Sequence, residues 1–339
     1  MREEGASVIH IFQRMSLHPS PRLKNSLHFR LRKLTLLSVI FYHSFQKLQF
    51  IISLYFKKYA KKNTSLSVSY NIFDGEELLL DSLVFFRSHA DHISVIYQTI
   101  GNTGLAHPNP NFEKYLRNLQ KMGLIDDLHK YDPNLIEFEN TYENYAYREA
   151  RKRTIGVEIA RNKGHTHFMP LDNDEFYLPF EFMYMKHILM SKRNKKTGAI
   201  KHLQYYRSNS LVVDPPEQEY IATISPISDD LEYMAFSQAP IPIDPGRKPR
   251  DAKYRIFFRF EIQMHHMSYV RTNLVDKLRA SQASLGNLDF LEEIVLRYQN
   301  YRFPEKGLWA HRREVNLRQV NPVIPLHNFN KLPLYYRPF

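Results

Sequence analysis

A short polar segment, Asp172-Asn173-Asp174-Glu175, directly follows an apolar run at residues 167–171. The apolar run predicts a buried strand, and the acidic residues come at its end. Two aspartates spaced i, i+2 can present their carboxylates to one divalent cation, because hard cations prefer oxygen ligands. A cation held there can in turn bind a diphosphate. This segment is therefore the first candidate for a functional site.

Composition excludes several other kinds of site. The 339 residues include no cysteine, which excludes disulfides, zinc–thiolate centres and thiol nucleophiles. The net charge of +12 is concentrated at one end, since residues 1–65 carry 12 of the 47 basic residues but only two acidic ones, Glu3 and Glu4. The rest of the chain is nearly neutral, so a nucleic-acid surface over the whole protein is not expected.

The basic N-terminal arm, residues 1–64, contains an apolar segment at 34–56 with basic residues on both sides. Its large side chains recur at spacings of three and four, which predicts a helix. Three interpretations stay open: an amphipathic helix lying on an anionic membrane, a helix docked on the protein or a partner, and a membrane span or uncleaved signal. The first interpretation places the protein in the cytoplasm, peripherally at the membrane face.

From residue 66 the pattern alternates between strands and helices. Strands are predicted at 66–72, 92–97, 127–131 and 167–171, and helices at 74–86, 111–122 and 145–162. Gly123 and Gly164 follow two of these helices, in the position that a C-terminal cap requires. This alternation predicts an α/β domain with a mostly parallel sheet flanked by helices, in which ligands bind at the carboxyl ends of the strands.

The second half of the chain has a looser pattern. Strands are predicted at 201–207, 220–227 and 254–264, and helices at 271–283 and 288–301. Residues 241–250 and the segment after 304 are expected to be irregular because both contain several prolines. The expected organisation is an arm at 1–64, a catalytic domain at 65–285 and a helical C-terminal extension at 286–339.

Five motifs in this order resemble the family 2-like glycosyltransferases with the GT-A fold, a Rossmann-like arrangement, over roughly residues 65–283. They are Asn71-Ile72-Phe73-Asp74-Gly75-Glu76-Glu77, Val95-Ile96-Tyr97-Gln98, Arg153-Thr154-Ile155-Gly156, Asp172-Asn173-Asp174 and His265-His266-Met267-Ser268-Tyr269-Val270-Arg271. The second motif departs from the family, which often has an aspartate where Tyr97-Gln98 stand.

The resemblance implies a role for each motif. Asp172 and Asp174 would correspond to the family's metal-binding Asp-x-Asp, with His265 or His266 as a further ligand of Mn²⁺ or Mg²⁺. Asn71, Tyr97, Gln98, Arg153 and Asp172 would contact the nucleotide or its diphosphate. An inverting enzyme also needs a carboxylate base. Glu261 and Asp230 are the leading candidates for that base, and Asp229 and Glu217 are further ones.

The resemblance thus implies a metal-dependent, inverting glycosyltransferase that transfers a sugar from a nucleoside-diphosphate sugar to a hydroxyl acceptor. The basic arm favours a lipid-linked or polysaccharide acceptor at a membrane. A protein that keeps the fold but has lost catalysis is the main alternative, and nucleic-acid binding through the arm is a weaker one.

Overall fold

A parallel sheet covered by helices on both faces positions the acidic segment. The computed structural model describes residues 64–102, 104–133, 142–191, 194–214, 216, 218–235, 238–271, 274, 277–278, 288–304, 308–310, 313–324 and 326. All of them fall in one compact unit, residues 61–339. The helix predicted at 34–56 and most of the one predicted at 271–283 lie outside these residues. Within them, no helix has the length and apolar character needed to cross a bilayer.

The first sheet has five strands, which are β1 at Leu66–Ile72, β2 at His92–Tyr97, β3 at Asp127–Lys130, β4 at His167–Asp172 and β9 at Ser225–Pro226. Their order in the sheet is β3-β2-β1-β4-β9. Strands β1 to β4 are parallel, and β9 is antiparallel to β4. Every residue of β1 and β2 is buried. Such burial is expected of parallel strands covered on both faces, and in β1 it includes the polar residues Ser67, Ser69 and Asn71.

Three helices cover this sheet: α1 at Glu76–Arg87, α2 at Phe112–Lys121 and α3 at Tyr142–Asn162. Tyr70 of β1 packs on Phe86 of α1, with ring centroids 6.2 Å apart. Its neighbour Ser69 packs against Gly156 of α3. Since successive strand residues point to opposite faces, α1 and α3 cover opposite sides of the sheet. The predicted α/β class, with a mostly parallel sheet flanked by helices, is confirmed.

A second, mixed sheet of eight strands holds the rest of the fold. Its strands are β5 at Glu175–Phe176, β6 at Thr197–Tyr206, β7 at Ser208–Asp214, β8 at Tyr220–Ala222, β10 at Tyr254–Ile256, β11 at Met264–Tyr269, β12 at Leu308–Ala310 and β13 at Arg313–Gln319. Their main order is β12-β13-β7-β6-β11-β5, and β8 and β10 also pair with β6. Helix α4 spans Pro179–Leu189, and α5 spans Leu288–Asn300.

Several predictions in this second half were wrong in detail. The strand predicted at 254–264 is two strands, β10 and β11, separated by a loop. Within that loop the carboxylate of Glu261 accepts a hydrogen bond from the backbone N–H of Phe258 at 2.8 Å. The tail expected to be irregular contains β12 and β13, of which β13 pairs with β7. Helix α4 was not predicted, and the loop at 241–250 contains a 3-10 turn at Pro245–Arg247. The helix predicted at 288–301 is confirmed as α5.

Candidate functional site

A polar cleft of about 280 Å³ lies at the carboxyl ends of β1, β2 and β4. This is the edge of a parallel sheet at which α/β proteins bind ligands. Three strand ends contribute Asn71, Gln98 and Asp172 to its lining. The other charged or polar residues that line it are Asp74, Asn102, Glu149, Lys152, Arg153, Asn173, Asp174, Asp244, His266, Ser268, Arg271 and Lys277.

The turn between β4 and β5 carries the acidic segment and is fixed at both ends. The side-chain amide of Asn173 donates to the carbonyls of Asp74, at 2.9 Å, and of Gly75. On the other side, the backbone N–H of Met267 in β11 donates to the carbonyl of Asp174 at 2.7 Å. The middle residue of the Asp-Asn-Asp motif therefore ties the turn to the start of α1, while the two aspartates face the cleft.

Asp172, the last residue of β4, is held by two arginines. Arg153 of α3 approaches it at 3.2 Å, and Arg247 from the 3-10 turn also pairs with it. Arg153 additionally donates to the carbonyl of Gly246 at 2.9 Å, which fixes that turn against α3. Burial raises the pKa of Asp172, but the charges of Arg153 and Arg247 outweigh it and hold the pKa below its usual value.

Arg247 also forms an ion pair with Glu175, a residue of β5 that is 1% exposed. Burial is the main influence on this carboxyl, and it raises the pKa of Glu175 even though Arg247 opposes it. Arg247 was missed at the sequence level. It lies in a proline-rich loop about 70 residues from its partners, and no local pattern signals such a pairing.

Asp174 is 3% exposed, and its two oxygens differ in their surroundings. Oδ2 accepts from Arg271 at 2.6 Å and from Lys277 at 3.0 Å. Oδ1 lies 3.4 Å from Nε2 of His266 and has no hydrogen-bond partner among the described residues. Burial raises the pKa of Asp174, but Lys277, His266 and Arg271 together hold it well below its usual value.

Asp174, Glu175 and His266 could together hold a metal ion, since one ligand atom from each lies within 4.8 Å of the others. Asp174 Oδ1 and His266 Nδ1 are buried polar atoms without a hydrogen-bond partner in the described part of the chain, whereas Oε1 of Glu175 already pairs with Arg247. Two carboxylates and an imidazole form a donor set that suits Mn²⁺ or Mg²⁺. The residues present therefore fit a divalent cation.

Of the four predicted metal ligands, two belong to this group of three and two, Asp172 and His265, do not. Asp172 is outside this group of three and is engaged by Arg153 and Arg247. His265 does not line the cleft; it is 4% exposed, and its Nδ1 lies 2.8 Å from the hydroxyl of Tyr205. Burial lowers the pKa of His265 to about 4. The structure thus brings Asp174 and His266 together and turns His265 to the other side of β11.

The residues predicted to contact the nucleotide are also divided. Asn71 lines the cleft, is 6% exposed, and has no hydrogen-bond partner for either amide atom within the described residues. Gln98 lines it too, but its amide already bonds to Lys152 at 2.7 Å and to Asn102 at 3.0 Å. Tyr97 is 2% exposed, packs on Phe112, and does not line the cleft.

Neither leading candidate for the base lies in the cleft. Glu261 is fully buried and accepts from the hydroxyl of Tyr184 at 3.2 Å. Asp230 lines a separate surface groove of about 850 Å³, together with Asp229. Glu217 lies outside the described residues. Three other carboxylates line the cleft, and sequence reasoning assigned none of them a role: Asp74, Glu149 and Asp244.

Comparisons with known proteins do not identify a family for this chain. No family model matches the chain, and no curated protein matches it. Among solved structures, a protein described as a mannose-1-phosphate geranyltransferase from Thermus thermophilus is similar at 12% identity and a TM-score of 0.24, over 49% of this chain and 51%, about half, of that one. A protein from Bacillus anthracis described as a glucose-1-phosphate thymidylyltransferase is similar at 11% identity and a TM-score of 0.30, over 81% of this chain and 97% of that one. Similarity this low carries no argument about function.

Proposed function

We propose that the chain is an enzyme acting on a nucleotide sugar, and more specifically a metal-dependent glycosyltransferase of the GT-A type. The observation that carries the proposal is the group of Asp174, Glu175 and His266 beside Arg271 and Lys277; all of these residues except Glu175 line one cleft. The first three residues suit a divalent cation, and the two cationic side chains suit a phosphate group. A diphosphate can use both kinds of contact.

The cleft also offers groups for the rest of such a donor. Asn71 presents one amide donor and one acceptor that are unpaired among the described residues, which suits the polar edge of a base or ribose. Asp172 keeps its negative charge beside Arg153 and Arg247. It can accept a hydrogen bond from a hydroxyl of the ribose or sugar without taking up a proton.

Asp174, Glu175 and His266 would hold the cation, which supplies Lewis-acid stabilisation of the charge that develops on the departing diphosphate. Arg271 and Lys277 would contribute to the same stabilisation through charge-assisted hydrogen bonds. The acceptor, in this proposal, is a hydroxyl of a lipid-linked sugar or polysaccharide. The basic arm at 1–64 would hold the enzyme on the cytoplasmic face of a membrane.

The direct test is calorimetric titration of the protein with UDP, GDP and dTDP, with and without Mn²⁺, followed by assays of donor hydrolysis. We expect Mn²⁺-dependent binding of at least one nucleoside diphosphate, and loss of hydrolysis in Asp174→Asn. The matched control is Asp127→Asn, because Asp127 also pairs with a lysine but lies at the opposite end of the sheet. Thermal unfolding of each variant checks that it is folded at the assay temperature.

The proposal fails if no nucleoside diphosphate binds in the presence of Mn²⁺, or if Asp174→Asn retains the wild-type rate. A catalytically inactive protein of the same fold is favoured by one observation, namely that neither Glu261 nor Asp230 lines the cleft. Tight binding of a nucleotide sugar without any turnover would support that second function.

A further inference from the structure

Two cations of different character share one oxygen of Asp174. Arg271 is 9% exposed as a whole and sits in a fixed position, because its guanidinium lies against Gly75 and also approaches Asp74 at 3.5 Å. The side chain of Lys277 is 19% exposed and faces the cleft, and among the described residues it bonds only to Asp174 Oδ2, at 3.0 Å, and to the hydroxyl of Ser268. Lys277 can therefore move without disturbing the packing that holds Arg271.

The carboxylates of the acidic segment are already paired with cations. Asp172, Asp174 and Glu175 pair with Arg153, Arg247, Arg271 and Lys277, and Arg153 and Arg271 also approach Glu149 and Asp74. A divalent cation that binds Asp174 therefore meets the charges of Arg271 and Lys277 at short range, where screening by solvent is weak. A diphosphate brings negative charge with which Lys277 can pair instead.

We infer that Lys277 is an exchangeable counter-ion of Asp174. Its ammonium holds Oδ2 of Asp174 while no donor is bound, and it moves onto the diphosphate when donor and cation enter the cleft together. The inference deepens the proposed function and rests on it. In this inference Lys277 couples the binding of the divalent cation to the binding of the diphosphate. The cation then binds tightly only when a diphosphate is also bound.

The chemistry of lysine suits this exchange better than that of arginine. Its ammonium is a compact charge on a flexible stem with three donors that can rotate between partners. Arg271, by contrast, is held by its planar guanidinium between Asp74 and Asp174. Asp174 would keep Arg271 on Oδ2 after Lys277 leaves, while Oδ1 stays directed toward His266 for the cation.

The test compares Lys277→Met with the wild-type protein in two binding measurements. Titration of Mn²⁺ alone, followed by the electron paramagnetic resonance of the free ion, should show affinity about threefold to tenfold higher in the variant, since one competing partly exposed ion pair has been removed. Titration of the nucleoside diphosphates UDP, GDP and dTDP at saturating Mn²⁺ should show affinity about tenfold lower, since one phosphate contact is lost.

The control is Lys163→Met, which removes a lysine paired with Asp127 at 2.9 Å, far from the cleft in the fold, and should change neither affinity. Opposite changes in the two affinities separate an exchangeable counter-ion from simple damage to the site, which would weaken both. Equal Mn²⁺ affinity in the variant and the wild type, or lower affinity in the variant, overturns the role of Lys277 even if diphosphates still bind. If none of the nucleoside diphosphates binds either protein, the proposed function is overturned, whatever the Mn²⁺ titration shows. The movement of Lys277 from Asp174 to a diphosphate is overturned with it.

Discussion

Replacing Gly75 by alanine tests the placement of Arg271 most directly. Gly75 precedes α1 with φ of +76°, and a Cβ there would overlap the guanidinium of Arg271 and lie 2.8 Å from the amide nitrogen of Asn173. The substitution therefore has two separate effects. It forces alanine into a left-handed backbone conformation, and it displaces Arg271 from Asp174.

The two effects can be given magnitudes. The left-handed conformation costs an alanine about 1 kcal/mol. Losing the hydrogen bond of Arg271 to a buried carboxylate costs about 1.5–3 kcal/mol more. We expect Gly75→Ala to lower the free energy of unfolding by about 2.5–4 kcal/mol, which lowers Tm by roughly 4–7 °C for a domain of this size.

Gly123 provides a matched control, because its φ is +74° and nothing lies within 4 Å of the position that a Cβ would take. Gly123→Ala should show only the backbone effect of about 1 kcal/mol. Urea unfolding of both variants measures the difference. A second check is Arg271→Met, which should destabilise the wild type more than it destabilises Gly75→Ala, because the alanine has already displaced the arginine. Equal losses in the two glycine variants would refute the reasoning.

Three further expectations can be checked by urea unfolding. Gly156→Ala should lower the free energy of unfolding by about 1–3 kcal/mol, because its Cβ would lie 2.5 Å from Ser69 Oγ, and this clash outweighs the helix propensity of alanine. A neutral or stabilising change would contradict the close approach of α3 to the sheet. Burial raises the pKa of Glu76 from 4.5 to about 7, so the folded state keeps a proton that the unfolded state loses. The free energy of unfolding should therefore fall as pH rises from about 4.5 to about 7, and Glu76→Gln should flatten that fall; an unchanged slope would count against it. Arg247→Met should lower the free energy of unfolding by about 3–5 kcal/mol, because it leaves Glu175 without its cation. The double variant with Glu175→Gln should recover part of that stability. If the losses of the two single variants simply add, the result argues against the pairing.

The elements around the cleft could be predicted because their signals are local. In β1 large apolar residues alternate with Ser67, Ser69 and Asn71, β2 and β4 are mostly apolar, and Gly123 and Gly164, both at φ of +74°, end the helices they were expected to end. Helix α4 was missed because its aromatic and methionine-rich sequence has no clear helical or strand period. A short apolar stretch of this kind is compatible with either structure.

Within the site, the choice between His265 and His266 as a further metal ligand depends on their place in a strand. His265 and His266 are adjacent on β11, and neighbouring residues of a strand point to opposite faces. Only one of them can line a cleft on one side of the sheet. Pairing of His266 with Glu175 on β5 decides which one it is, and that register is a tertiary fact. The same alternation explains why Gln98 lines the cleft while Tyr97 packs on α2.

The carboxylates of the acidic segment are close together in the sequence, whereas the cations that pair with them are not. Asp172, Asp174 and Glu175 come from one turn, so the sequence marks them as a cluster. The cations that pair with them come from places far apart in the chain, with Arg247 lying 75 residues beyond Asp172 and Lys277 lying 103 residues beyond Asp174. The acidic motif therefore marks a candidate ligand position. The charge that an entering ligand meets there is set in part by distant residues, and for this reason the affinity for a bare cation should depend on Lys277 as well as on the carboxylates of the motif.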